Sequence, residues 1–424
     1  MRARPILRGF LLFLAGCAVD DSVGSSEGPL VFTLSADSAW SGGTVAVTAM
    51  RFAELTYAPV FVSGADTLAA TRTGDSTYTL RIPVGPAGPV QVGIQEGAQR
   101  IDVGTVQRAG YQALRWYTPG FDFSMMIQAR RGGVPVVLGN GSVGITLLYP
   151  SLGRSERVTG LRAPYGYYGI GQSYRGDEFV LEDSSGAIGV WELWPAPARR
   201  RDWPSTSFRR QPTAMSPTTF LSTYSHGTMT VDTTSPARGY GPFDTEDIWN
   251  VHLSPRGDRV VLRSVGSNDG VPVINSLTAD TAYTIPRMRT LAAAGFTADG
   301  AQFVAAGYYP PRDSLRRIDA ASGTILASAA LPDSAFITNL EVDPAGRWVF
   351  LMVEYTGCNP AVAVYDLATL AQVGDLRGPP TSRGDATCAS SGWEGMLVYD
   401  TSPNRLYVVW NGDPSPVFEF SVLP

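Results

Sequence analysis

The most reactive side chains in this 424-residue chain are three cysteines, and the residues around each suggest its chemistry. Cys17 follows Arg2, Arg4 and Arg8, an apolar run from Phe10 to Leu14, and the small residues Ala15 and Gly16. Basic residues, a short hydrophobic core and a small-residue cleavage site make an export signal. The apolar run is too short to span a bilayer. Cys358 and Cys388 are then an even pair in an oxidising compartment, and a disulfide between them is expected. Closing a loop of about thirty residues stabilises by roughly 3–4 kcal/mol in the chain-entropy picture.

Other chemistry is sparse. The two histidines, His226 and His252, have no His or Glu at ligand spacing, and no serine sits in a Gly-x-Ser-x-Gly elbow. His252 alternates with Val251 and Leu253 and reads as a packed or hydrogen-bonded strand residue; His226, before Gly227, reads as a solvated turn residue. Asp244-Thr245-Glu246-Asp247 offers oxygen ligands but lacks the interleaved pattern of a calcium loop, so a solvated turn is expected. Arg199-Arg200-Arg201, in a Pro-rich connection with Trp194 and Trp203, reads as a solvated loop rather than an anion site. No metal, no cofactor and no catalytic residues are expected.

Leu14-Ala15-Gly16-Cys17 resembles the lipobox of bacterial lipoproteins. That resemblance implies a diacylglyceryl group on the Cys17 thiol, cleavage just before it, and acylation of the new amine. Two or three acyl chains anchor durably, each buried methylene contributing about 0.8 kcal/mol. Residue 18 is alanine, not the aspartate that retains enterobacterial lipoproteins at the inner membrane. The resemblance therefore implies an exported protein, lipid-anchored in the outer membrane, facing the periplasm or the cell surface. Residues 1–16 would be the signal peptide and 17–29 an Asp-, Ser- and Gly-rich flexible tether.

Composition narrows the rest. Hydrophobic residues at 44% against 17% charged predict a large core rather than disorder. The 46 glycines and 31 prolines suit an all-β chain with many turns. The formal charge of -5 becomes three units more negative without Arg2, Arg4 and Arg8, which argues against nucleic acid and against charge-driven binding to an acidic bilayer. Every one of the 33 basic residues is arginine.

Residues 30–108 read as a small β-sandwich, with alternating strands at Thr44–Thr48, Thr77–Ile82 and Val90–Ile94. Ser41-Gly42-Gly43-Thr44-Val45 and Gly85-Pro86-Ala87-Gly88-Pro89-Val90 resemble IPT/TIG-type immunoglobulin-like domains, departing from them at Ala49 and Arg51-Phe52. The resemblance implies a spacer or adhesive module.

Residues 110–424 carry an internal repeat: strand, glycine turn, strongly apolar strand. It is seen at Leu253–Leu262, Phe296–Val304 and Val342–Phe350, more weakly at Tyr399–Val408 and Tyr174–Val180. Its turn glycines Gly257, Gly300 and Gly346 lie 43 and 46 residues apart, the length of a four-stranded propeller blade. Seven blades are expected, starting near Phe121, Gly166, Gln211, Ile248, Thr290, Ile337 and Gly395. The last holds three strands, and Tyr111–Tyr117 could supply its fourth, removing exposed edges. The Asp-Pro-x-Gly and Asp-x-x-Thr-Leu elements resemble YVTN and WD-repeat propellers.

Assigning loops to faces collects Tyr167, Tyr168, Trp249, Tyr308, Tyr309, Tyr355 and Trp393 at one end, where Cys358 and Cys388 would staple two loops. Aromatics beside a stiffened loop suit recognition, since rings bury large area at little entropic cost. The expectation is a non-catalytic binding module for a protein, peptide or glycan. Two alternatives stay open: a propeller-based enzyme, such as a polysaccharide lyase or quinone-dependent dehydrogenase, and a scaffold in outer-membrane assembly.

Overall fold

The computed structural model describes residues 31–49, 55, 58–116, 125–131, 134–141, 144–162, 171–173, 176–202, 211–215, 220–224, 228–232, 238–240, 247–265, 270–278, 280–286, 288, 291–307, 314–331, 336–354, 360–378, 395–402, 404–410 and 416–424. All regular elements among them are β-strands.

The N-terminal strands are β1 (Phe32–Leu34), β2 (Ser38–Trp40), β3 (Thr44–Ala49), β4 (Val60–Ser63), β5 (Asp66–Thr67), β6 (Ala70–Gly74), β7 (Thr77–Arg81), β8 (Gly88–Glu96) and β9 (Gln99–Ala109). They form two sheets, in the orders β1-β3-β7-β6 and β2-β9-β8-β4-β5. Val45, Val47 and Leu80 of the first share a core with Phe61, Val92, Ile94 and Val106 of the second. Thr44 and Thr48 face solvent while Val45, Val47 and Ala49 are buried, the alternation of a sheet with one covered face. Strands expected at Thr44–Thr48, Thr77–Ile82 and Val90–Ile94 coincide with β3, β7 and the middle of β8.

Gly110 alone separates β9 from β10 (Tyr111–Trp116), and β10 joins the far end of the chain. Next come β11 (Met125–Arg131), β12 (Val134–Gly141), β13 (Gly144–Tyr149) and β14 (Arg154–Val158), one antiparallel sheet. A nine-stranded sheet follows. It holds β15 (Leu161–Arg162), β16 (Gly171–Ser173), β17 (Glu178–Asp183), β18 (Ile188–Glu192) and β19 (Ala198–Asp202). It continues through β20 (Gln211–Met215), β21 (Phe220–Tyr224), β22 (Thr228–Asp232) and β23 (Arg238–Tyr240). Its two antiparallel runs meet at a parallel pairing of β16 with β20, where Gln172 faces Ala214.

Three further four-stranded sheets keep sequence order. The first is β24 (Asp247–Leu253), β25 (Arg259–Val265), β26 (Val271–Asn275) and β27 (Thr281–Ile285). The second is β28 (Leu291–Phe296), β29 (Gln302–Gly307), β30 (Ser314–Asp319) and β31 (Ile325–Ala330). The third is β32 (Phe336–Val342), β33 (Trp348–Glu354), β34 (Pro360–Asp366) and β35 (Gln372–Arg377). The last sheet runs β36 (Gly395–Asp400), β37 (Arg405–Trp410), β38 (Pro416–Ser421), and β10 completes it.

Middle strands are apolar along their length because sheets pack on both of their faces. Phe350 and Met352 of β33 pack with Leu397, Tyr399 and Val408 of the last sheet, while Val349 and Leu351 pack with Val304 and Ala306 of β29. The last sheet in turn packs on the first, joining Val398, Tyr407 and Val409 to Val137 and Leu148.

The basic run corrects the sequence reading. Arg199, Arg200 and Arg201 lie in strand β19, paired with β18, rather than in a loop. Arg199 pairs with Asp183 and Asp202, Arg200 with Glu192, and Arg201 with Glu178. Charges on a terminal strand protect it against pairing with another chain. Alternation of local charge could not reveal this, because the partners other than Asp202 come from strands β17 and β18.

Candidate functional site: two unlike ends of the sheets

At one end of the four-stranded units, the first strand turns into the second through short loops built on a repeated pair of side chains. The Ser254 hydroxyl donates to Asp258 Oδ1 (2.8 Å) and accepts from the backbone N–H groups of Asp258 and Arg259, both at 3.1 Å. Ser173 repeats this with Asp177 (2.8 Å) and the N–H groups of Asp177 and Glu178. In the β32–β33 turn aspartate takes the place of serine and arginine that of aspartate: Asp343 accepts from Ala345 N (3.0 Å) and Arg347 Nε (3.1 Å). Thr297 donates to Asp299 Oδ1 (2.6 Å) and accepts from Gln302 N (3.1 Å). Gly257, Gly300 and Gly346 hold φ of +72°, +64° and +74°, which only glycine adopts freely.

Turns from third to fourth strand close the same end. Asp319 Oδ1 accepts from Ser322 Oγ (2.7 Å), Ser322 N (2.8 Å) and Ala321 N (3.2 Å). Asp366 Oδ1 accepts likewise from Thr369 N and Oγ1. The Ser322 hydroxyl, followed by the backbone donors, holds the Asp319 carboxyl below the usual carboxylate range, and the Thr297 hydroxyl does the same for Asp299. Side chains also tie neighbouring sheets together here. Arg259 Nε (3.2 Å) and Tyr283 Oη (3.0 Å) both donate to the Ala320 carbonyl, and Arg256 Nε donates to that of Asp299 (2.6 Å). Burial pushes the Tyr283 phenol up.

The first strands of different sheets approach one another. Gln128 of β11 donates to Glu341 of β32 (Nε2 to Oε1, 3.2 Å), and Gln172 of β16 donates to the Gln128 carbonyl. His252 is half-buried in β24, opposite Val261, consistent with a packed residue. Among the described residues no group of three or more His, Cys, Asp or Glu could hold a metal ion.

Segments 308–313, 355–359 and 411–415 join second to third strands, after Gly307, Glu354 and Trp410, and 379–394 follows the fourth strand β35. Strand direction brings these departure points to the end opposite the short turns. Trp249 lies within β24. Tyr167, Tyr168, Tyr308, Tyr309, Tyr355, Trp393, Cys17, Cys358 and Cys388 lie outside the described residues, as do His226 and residues 241–246. What the sequence reading missed is the chemistry of the short turns. Its signal was present in Ser173-x-x-Gly176-Asp177 and Ser254-x-x-Gly257-Asp258 beside Asp343-x-x-Gly346-Arg347.

No protein-family model and no curated protein matches the sequence. Solved structures do. The Myceliophteria thermophila Cps50 (Swd1) β-propeller domain superposes with a TM-score of 0.50 at 11% identity, over 73% of this chain and 99% of that one. A chain of the mitotic checkpoint complex superposes with a TM-score of 0.51 at 10% identity, over 74% of this chain and 92% of that one. At such identity the likeness concerns the fold alone, and it agrees with the succession of four-stranded sheets: the chain contains a β-propeller.

Proposed function

We propose that this protein is an envelope lipoprotein, anchored through Cys17, whose seven-bladed propeller (residues 110–424) binds a protein, peptide or glycan without catalysing a reaction. An immunoglobulin-like sandwich, residues 30–108, carries the propeller above the 17–29 tether. The observation that carries the reading is the inequality of the two ends. One is sealed by short turns whose polar groups satisfy each other, leaving little for a ligand to recognise. The other receives the long connection 379–394 together with segments 308–313 and 355–359, with Tyr308, Tyr309, Tyr355 and Trp393 in their sequence and the Cys358–Cys388 pair to stiffen them. The basic residues ahead of Leu14-Ala15-Gly16-Cys17 support export and lipidation.

Envelope extract passed over the immobilised lipid-free protein identifies a ligand, and its affinity is then measured for variants. Alanine at Tyr308, Tyr309 and Trp393 together should cost about 2 kcal/mol or more, roughly thirtyfold in affinity. Arg200→Ala, on a salt-bridged outer strand, should be nearly neutral. Equal binding by the triple variant at unchanged melting temperature moves the site away from this end.

A further inference from the structure

We infer that the N-terminal sandwich is a fixed bracket, pinned to the flank of the propeller by Trp40, so that it sets the orientation of the propeller instead of swinging on a linker. Trp40 ends β2, yet it stands apart from the sandwich core. It is 3% exposed and packs with Phe350, Val364 and Leu376 of the β32–β35 sheet. Its ring meets Trp348 edge-on at 5.4 Å and Phe350 at 6.3 Å.

Backbone groups complete the joint. Asp375 N, on outer strand β35, donates to the Ser41 carbonyl (2.8 Å), and Ser41 N donates to that of Ala109 (2.8 Å). The approach is close enough to require glycine on both sides. A Cβ on Gly374 would stand 2.7 Å from Trp40 Cβ, and one on Gly43 would stand 2.6 Å from the Val373 carbonyl oxygen.

A second attachment prevents rotation about the first. Ala87 N donates to the Tyr111 carbonyl (2.8 Å), and Arg108 holds the carbonyls of Pro83 (3.1 Å) and Pro86 (2.6 Å). Gly110, the whole connection between β9 and β10, is itself held by Ser421 on both its N–H and its carbonyl. Two separated contacts and a one-residue connection leave no hinge. The sandwich also covers part of the β35 edge, which would otherwise offer unpaired backbone groups to another strand.

The test uses the full mature chain. Gly374→Val adds a side chain suited to a strand, but its Cβ strikes Trp40; Trp40→Ala removes the pin from the other side. Small-angle scattering of the unaltered protein should fit the docked arrangement alone, with one cooperative unfolding transition. Both variants should show a larger maximum dimension, two transitions, and cleavage beside Gly110 accelerated by about tenfold or more, as local opening exposes it. Scattering of the unaltered protein that needs an ensemble of sandwich positions overturns the inference. So do variants that keep its dimensions and single transition. If Gly374→Val does not fold, Trp40→Ala and the unaltered protein still decide.

Discussion

Arg115 and Glu419, 304 residues apart in sequence, form an ion pair at 2.5 Å in which the first strand of the propeller grips the last. Glu419, on β38, also accepts from Arg405 Nε (3.2 Å), and Arg115 reaches the Pro150 carbonyl (2.9 Å) in the neighbouring sheet. One arginine thereby links the first and last strands of the propeller to the sheet that follows.

Loss of that link should be felt globally. Arg115→Ala is expected to lower unfolding free energy by about 1–3 kcal/mol, the range for a hydrogen bond to a charged group with a partly covered partner. Urea denaturation should show a lower midpoint with an unchanged slope. Removing residues 111–116 should do far more, since β38 would be left as an open edge, and aggregation on size-exclusion chromatography is the expected outcome.

The turn side chains predict a graded pair of effects. Ser254→Ala leaves the N–H groups of Asp258 and Arg259 without their acceptor, at a cost of about 1–2 kcal/mol. Asp343→Ala should cost more, about 2–3 kcal/mol, because the carboxylate is fully buried and Arg347 loses its partner. Thermal unfolding of the two variants side by side checks the order; a larger loss for Ser254→Ala would contradict it.

Stability should fall toward both extremes of pH, for different groups. Asp319 and Asp299 titrate below the ordinary carboxylate range when folded, held by Ser322 and Thr297. Their contribution is present above the unfolded value near 4 and is lost as pH falls through the lower folded values. Carboxyl chemical shifts should place the Asp319 midpoint below that of an aspartate in the unfolded chain, and Ser322→Ala should raise it. At the alkaline side, burial pushes the Tyr407 phenol up to about 12. The unfolded chain ionises first, so that stabilisation is present below about pH 10 and is lost as pH rises through 12. Phenolate absorbance of Tyr407→Phe against the unaltered protein isolates this step.

Cysteine chemistry tests the address. Cys17→Ser should abolish labelling by a fatty-acid analogue and leave uncleaved or soluble protein; label retained on the variant refutes lipidation there. Non-reducing peptide mapping of the exported protein should recover Cys358 joined to Cys388, and two free thiols refute the pairing.

Much of the architecture was legible because it is local. The spacing of Gly257, Gly300 and Gly346 records the repeat, since each sits at a positive φ, which glycine adopts most freely, where a first strand reverses into a second; Asn404 takes that conformation in the last sheet. Within the copy read at Val342–Phe350, the strand, glycine turn and strongly apolar strand are the end of β32, the turn through Gly346 and the start of β33, because the apolar runs are bounded by turn residues. Even the partner of Tyr111–Trp116 could be read, by asking which sheet lacked a strand. Tertiary structure alone decided what depends on facing partners. Arg199, Arg200 and Arg201 became a strand because Glu178, Asp183 and Glu192 arrive from neighbouring strands to receive them. Trp40 left its own sandwich for the propeller because Gly374 leaves room for an indole, a complementarity between positions more than three hundred residues apart. Alternation and turn chemistry are properties of neighbours along the chain; which surface covers which is set by shape and charge brought together only by folding.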